Sequence, residues 1–208
     1  VNQNTSNAVM ATRVEPKDSL DWFATPPWGT RALCHHIIAG ETMGSVWEPA
    51  AGDGAMARPL SEYFERVVAS DVHDYGEGYH QHDFLQPYVP EWVGDVSWII
   101  TNPPFKLSEE FIARGLQIAT AGVAVFVRSV FIESTGRYER LFSTNPPTIM
   151  AQFSERVPLN KGRARKDATT ATAYCWLVWL KGVHGDTRLT WVPPCRKKLE
   201  RDGDYEVT

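Results

Sequence analysis

Cysteine is scarce: the 208-residue chain carries three, Cys34, Cys175 and Cys195, far apart and outside any C-x-x-C spacing. An odd number so placed builds neither a disulfide framework nor a zinc site, and buried free thiols are expected. Long apolar runs are missing too. No stretch approaches the ~18 residues a membrane span requires, and no charged-then-apolar signal segment opens the sequence, so a cytoplasmic protein without membrane partners is expected. Positive charge is not in excess: 21 Lys and Arg against 25 Asp and Glu give a net charge of −4, so the surface as a whole does not suit a polyanion. Internal repeats and low-complexity tracts are absent, and a composition of 43% hydrophobic and 22% charged residues excludes collagen-like, coiled-coil and wholly disordered chains.

What is present is an ordinary globular composition. At roughly 100–200 residues per domain, the length allows one domain with at most a small appendage. Eight tryptophans supply many flat apolar surfaces for packing or stacking. The charge is uneven. Residues 1–150 hold 10 Lys and Arg against 18 Asp and Glu, whereas residues 151–208 hold 11 against 7, so a polyanion would meet local basic segments only.

Residues 1–20 are polar and aperiodic and read as a flexible or trimmed leader. After them Thr25-Pro26-Pro27 suits a helix entry, with Thr25 as its cap and the helix running from Trp28 to Ala39. Strand and helix signals then alternate. Strands are expected at Ser45–Trp47, Arg66–Ser70, Val96–Thr101, Gly122–Val127, Thr148–Phe153 and Ala171–Leu180. Helices are expected at Ala55–Phe64, Leu107–Ala119 and Tyr138–Phe142. This is the pattern of a mostly parallel α/β sheet. No helix-length apolar segment separates the last two strands, so they should pair antiparallel.

Ligands bind such sheets at the carboxyl ends of the strands. Three features fall there. The first is Glu48-Pro49-Ala50-Ala51-Gly52-Asp53-Gly54, after a strand and before a helix, whose glycines let the backbone turn tightly against a ligand. Asp71 closes the next strand, 19 residues after Gly52, a spacing suited to ribose hydroxyls. By itself this reads equally as a glycine helix entry with a solvated Asp. A dinucleotide site is disfavoured, because the full G-x-G-x-x-G is absent and Glu48 and Asp53 would repel a pyrophosphate.

The second feature is Thr101-Asn102-Pro103-Pro104-Phe105, closing an apolar strand. Asn-Pro-Pro recurs at Asn145-Pro146-Pro147, before a strand, as a plain turn. The first copy has different company. An exocyclic amine on an aromatic ring is a poor nucleophile because its lone pair is delocalised. Two acceptors, the Asn102 side-chain oxygen and the Pro103 carbonyl, can hold its two hydrogens and free the lone pair for in-line attack. The prolines aim both rigidly, and Phe105 offers a stacking face.

The combination resembles the S-adenosylmethionine-dependent adenine-N6 DNA methyltransferases, over about residues 21–130 and more weakly to 180. The resemblance implies a Rossmann-like class I methyltransferase fold, a seven-stranded mixed sheet with one antiparallel strand. Its catalytic domain would span residues 21–195, followed by a charged tail over 196–208. It implies transfer of a methyl group to adenine N6 in DNA by direct displacement. Thr25 and Pro26 would then lie beside the methionine moiety of the cofactor. Glu48 would receive its amino group, with Ala50 and Gly52 lining the turn. Asp71 would hold the ribose, Val72 would touch the adenine, and Asp83 and Phe84 of the third feature, His82-Asp83-Phe84-Leu85, would bind and cover it. Asn102 and Pro103 would hold the target amine, Pro104 would touch the cofactor, and Phe105 would stack on the base. Related chains act on RNA or on protein glutamine, which stay as alternatives, as does an inactive nucleic-acid-binding module of the same fold. Cytosine N4 is disfavoured because those enzymes carry Ser, not Asn, at position 102.

The family usually carries a large target-recognition region, and 81 residues follow Val127 here. The basic stretch with Lys161, Arg163, Arg165 and Lys166 is the candidate for phosphate contacts. Phe153 is the candidate for a second stacking face. A short or relaxed recognition sequence, or a preference for single-stranded or opened DNA, is expected, as in compact phage or prophage enzymes of a bacterial host. His73, Asp74, His80 and His82 read as polar loop residues rather than metal ligands. Monomer and homodimer both remain open.

Overall fold

The apolar runs become strands whose side chains are buried on both faces. The computed structural model describes residues 21–40 and 43–205, so the leader expected over 1–20 lies outside the described residues. Eight strands form one sheet: β1 (Ser45–Glu48), β2 (Arg66–Asp71), β3 (His80–Gln81), β4 (Trp98–Thr101), β5 (Gly122–Arg128), β6 (Ile149–Phe153), β7 (Tyr174–Leu180) and β8 (Arg188–Val192). Their order across the sheet is β3-β2-β1-β4-β5-β7-β6-β8. Strand β7 pairs antiparallel with both β5 and β6, and every other pairing is parallel. The mixed sheet with one reversed strand is as expected; it has one strand more than the seven implied by the resemblance and two more than the six ranges read along the sequence. The additions are β3, two exposed residues, and β8, whose Leu189 and Trp191 face solvent, so neither carries an apolar run to betray it.

Alternation along the central strands divides the core. Trp98, Ile100, Ala124, Phe126, Trp176 and Val178 pack on one face, against α1 (Pro27–His36) and α2 (Ala57–Leu60). Ile99, Val123, Val125, Cys175, Leu177 and Trp179 pack on the other, against α3 (Ser108–Ile118) and the segment that follows β5. Trp28, Trp47, Trp98 and Trp176 are fully buried, and each apolar side chain of this size removed from water contributes at least about 2 kcal/mol. The three cysteines are buried and unpaired.

Two local expectations need correction. The helix expected over Ala55–Phe64 is confined to Ala57–Leu60, with turns on either side of that single α-helical turn. Thr25 does not cap α1: the cap position is Pro26, and the Thr25 hydroxyl is buried without a partner. The charged tail is partly built in. Its residues form α5 (Arg196–Leu199), and Asp204 receives two hydrogen bonds from Arg31 of α1 at 2.8 Å. No helix among the described residues is long and apolar enough to cross a membrane. The parallel strands leave Glu48, Asp71, Thr101 and Arg128 along one rim.

Candidate functional site

Strand β1 ends on a carboxylate that the core cannot neutralise. Glu48 is fully buried. Its Oε1 accepts the Thr101 hydroxyl at 2.6 Å and the Ala50 amide at 3.0 Å, while Oε2 has no partner. Burial pushes its pKa up to about 8 against the pull of those two donors. The chain then turns through Gly52, at φ +53, where a Cβ would lie 2.8 Å from the indole nitrogen of Trp22. The Gly52 amide donates to Asp71 Oδ2 at 2.9 Å and the His73 amide to Oδ1 at 3.0 Å. Asp71 is thus braced by two backbone donors, each oxygen keeping a lone pair for a ligand. Burial raises the Asp71 and Asp53 carboxyls above their usual range.

Strand β4 carries the chain into Asn102-Pro103-Pro104-Phe105. The Asn102 amide nitrogen donates to the Phe23 carbonyl at 2.6 Å, which leaves Oδ1 buried and without a partner. The Phe105 amide donates to Asp21 Oδ2 at 2.7 Å. The segment 21–25 is therefore a strap across the Asn-Pro-Pro-Phe segment. Its other side is held by the basic loop, where Gly162 donates to the Trp22 carbonyl at 2.9 Å and Ala24 donates to the Gly162 carbonyl at 3.2 Å.

Strap, glycine turn and the Asn-Pro-Pro motif enclose a cavity of about 260 Å³. Of the residues expected to hold a cofactor, Thr25, Glu48, Ala50, Gly52, Asp71, Val72, Asp83, Phe84, Asn102 and Pro104 line it, and Pro26 does not. Phe84 is buried edge-on against Trp47, whereas Asp83 is exposed and caps its own turn through the Leu85 amide. Pro103 and Phe105 do not line the cavity; Pro103 is buried and Phe105 is half-buried against Phe23, with ring centroids 5.4 Å apart.

Phe153 is not a stacking face. It is buried between Trp28 and Phe126, because alternation along β6 turns it into the core. The basic residues lie beside the strap: Arg163 pairs with Glu77 at 3.1 Å, Arg165 with Asp167 at 3.1 Å, and the Lys166 carbonyl accepts from Arg196. Among the described residues no group of three or more His, Cys, Asp or Glu could hold a metal.

The sequence reading missed Asp21, Trp22 and Phe23, because nothing local marks a strap that is defined by contacts 80 residues away. Arg128 was missed as well, although a lone arginine closing an apolar strand is visible. Its guanidinium carbon lies 4.5 Å from the centre of the Phe105 ring.

No family model matches the chain, and no curated protein matches it in sequence. Solved structures match its fold. It superposes on a methyltransferase subunit of the type I restriction-modification system from Streptococcus thermophilus with a TM-score of 0.57 at 9% identity, covering 89% of this chain and 50% of that one. A modification subunit from Vibrio vulnificus gives 0.54 at 16%, covering 90% and 50%. A proposed RNA methyltransferase from Pyrococcus horikoshii gives 0.58 at 14%, covering 82% and 91%. The chain thus spans half the length of both restriction-system subunits. Its fold is the α/β Rossmann-like fold of class I methyltransferases.

Proposed function

We propose that this chain transfers a methyl group from S-adenosylmethionine to the N6 amine of adenine in DNA. The observation that carries the reading is the state of Asn102. Its amide is oriented by the Phe23 carbonyl so that the acceptor, not the donor, is left buried and unpaired beside the cavity. A buried acceptor without a partner costs about 1–3 kcal/mol unless a ligand donor satisfies it, and a substrate amine is such a donor. With the Pro103 carbonyl it would hold both amine hydrogens.

The residues around the cavity fit the cofactor. The orphaned Glu48 Oε2 suits an ammonium group, Asp71 suits ribose hydroxyls, and Val72, Phe84 and Phe111 offer apolar surface to an adenine. Gly52 keeps the turn open where a side chain would intrude. S-adenosylmethionine supplies the electrophilic methyl group. The protein's part is to hold the amine and exclude water, without a general base. The Lys161–Lys166 loop, joined to the strap, would contact phosphates.

The test is transfer of tritiated methyl to duplex DNA, single-stranded DNA, RNA and a protein extract, with Asn102→Ala as control. Label in DNA that digests to N6-methyldeoxyadenosine and is lost in the variant supports the reading. Label only in RNA or protein keeps the chemistry and replaces the substrate. Cofactor binding without transfer to any acceptor favours a binding module.

A further inference from the structure

We infer that Arg128 occupies the stacking place of the target base on Phe105 and is displaced by that base, moving to the phosphate backbone of the acceptor strand. The inference rests on the reading of Phe105 as the stacking residue. Two neighbours lie on the Phe105 ring, Phe23 and the Arg128 guanidinium. Phe23 cannot leave. It is buried, its carbonyl holds Asn102, and its backbone bridges the 161–162 segment. Arg128 can leave. It is exposed at the carboxyl end of β5, and among the described residues its guanidinium has no hydrogen bond or ion pair.

A guanidinium is planar and delocalised, so it covers an aromatic face much as a nucleobase does. An exposed cation–π contact is weaker than base stacking on the same ring, so the exchange runs toward the base. Held on Phe105, Arg128 keeps water off the ring in the absence of a substrate. Released, it is a cation at the mouth of the site, where an extruded nucleotide brings its phosphates. The same residue thus opposes occupancy by a bare nucleoside and favours occupancy by a nucleotide within a strand.

These two effects have opposite signs, and one substitution separates them. With the cofactor site saturated by S-adenosylhomocysteine, 2-aminopurine riboside and a single-stranded oligonucleotide carrying one 2-aminopurine are titrated by fluorescence. Arg128→Ala is expected to bind the riboside about three- to fivefold more tightly, because its competitor is gone. It is also expected to flatten the slope of log affinity on log salt for the oligonucleotide by about 0.7. Arg128→Lys keeps the slope. Weaker or unchanged riboside binding in Arg128→Ala, or an unchanged slope, overturns the proposal. Phe105→Ala tells its failure from that of the underlying reading: if wild type and Phe105→Ala bind the riboside alike, Phe105 is not the stacking face and both fall.

Discussion

The Thr101 hydroxyl donates to Glu48 Oε1 at 2.6 Å, which ties the buried carboxyl group that closes β1 to the residue that precedes Asn102. Glu48 is held up to about 8, so near neutral pH it is largely protonated until a cation arrives. If Glu48 receives the ammonium group as proposed, binding of S-adenosylhomocysteine should therefore release a proton. Its affinity should rise by about tenfold per pH unit from pH 6 towards 8 and then stop rising, as calorimetry in buffers of different ionisation enthalpy would show. Thr101→Val removes a donor to the carboxylate, raises the Glu48 pKa further and moves the rise to higher pH.

The same shift affects stability with the opposite slope. The ligand-free folded chain keeps the Glu48 proton from about pH 4.5 to 8, a range in which the unfolded chain has lost it. The stabilisation is complete below the unfolded value and is lost as pH rises through about 8. Thermal unfolding should show the Tm difference between Glu48→Gln and wild type growing in favour of the variant from pH 5 to pH 8. A difference independent of pH would show that Glu48 is ionised in the ligand-free protein.

Gly52 tests the turn. At φ +53 an alanine costs about 1–2 kcal/mol in backbone strain, and its Cβ would meet the Trp22 ring. Gly52→Ala should lower urea stability by that amount or more and weaken S-adenosylhomocysteine. Adding Trp22→Ala should recover the steric part but not the strain, so the two changes should be non-additive in a double-mutant cycle.

Much of this site was legible in sequence because its parts are local. A strand, a glycine turn and an acidic residue closing the next strand are read along the chain, and the sheet topology then brings Glu48, Asp71 and Asn102 together. The strap was not legible. Asp21 accepts from the Phe105 amide 84 positions away and the Phe23 carbonyl from Asn102 79 positions away, and an irregular segment carries no periodicity that would mark such contacts. Phe153 failed for a related reason: position at a strand end predicts the rim, but alternation decides which face a side chain takes. In the charged tail, the pairing of Asp204 with Arg31 and of Arg201 with Glu62 was not legible either, because composition shows charge but not its distant partner.

The basic loop should act through salt. Substituting Lys161, Arg163, Arg165 and Lys166 by alanine should flatten the salt dependence of single-strand binding by about one to three in log–log slope, with cofactor affinity little changed. Arg163 starts from an ion pair with Glu77. Glu77→Gln should therefore tighten DNA binding in the wild type and not in Arg163→Ala, measured by fluorescence anisotropy at two salt concentrations.

Arg31 decides whether the tail is part of the domain. It donates to both oxygens of Glu62 and of Asp204, and to the Leu199 carbonyl, with the Arg31 and Asp204 side chains 5% exposed. The two carboxylates hold its pKa above the ordinary arginine value despite desolvation. Asp204→Asn leaves Arg31 with Glu62 and should cost about 1–3 kcal/mol in urea unfolding. Arg31→Ala leaves Asp204 without its cation beside Glu62, which keeps Arg201 at 2.9 Å, and should cost about 3–5 kcal/mol, less at low pH, where the acids take up protons. Because burying charge carries its own cost, replacing Arg31, Glu62 and Asp204 together by Met, Leu and Leu should recover most of the loss. A triple variant no better than Arg31→Ala would mean that the hydrogen bonds to the tail, rather than charge balance, hold it against α1.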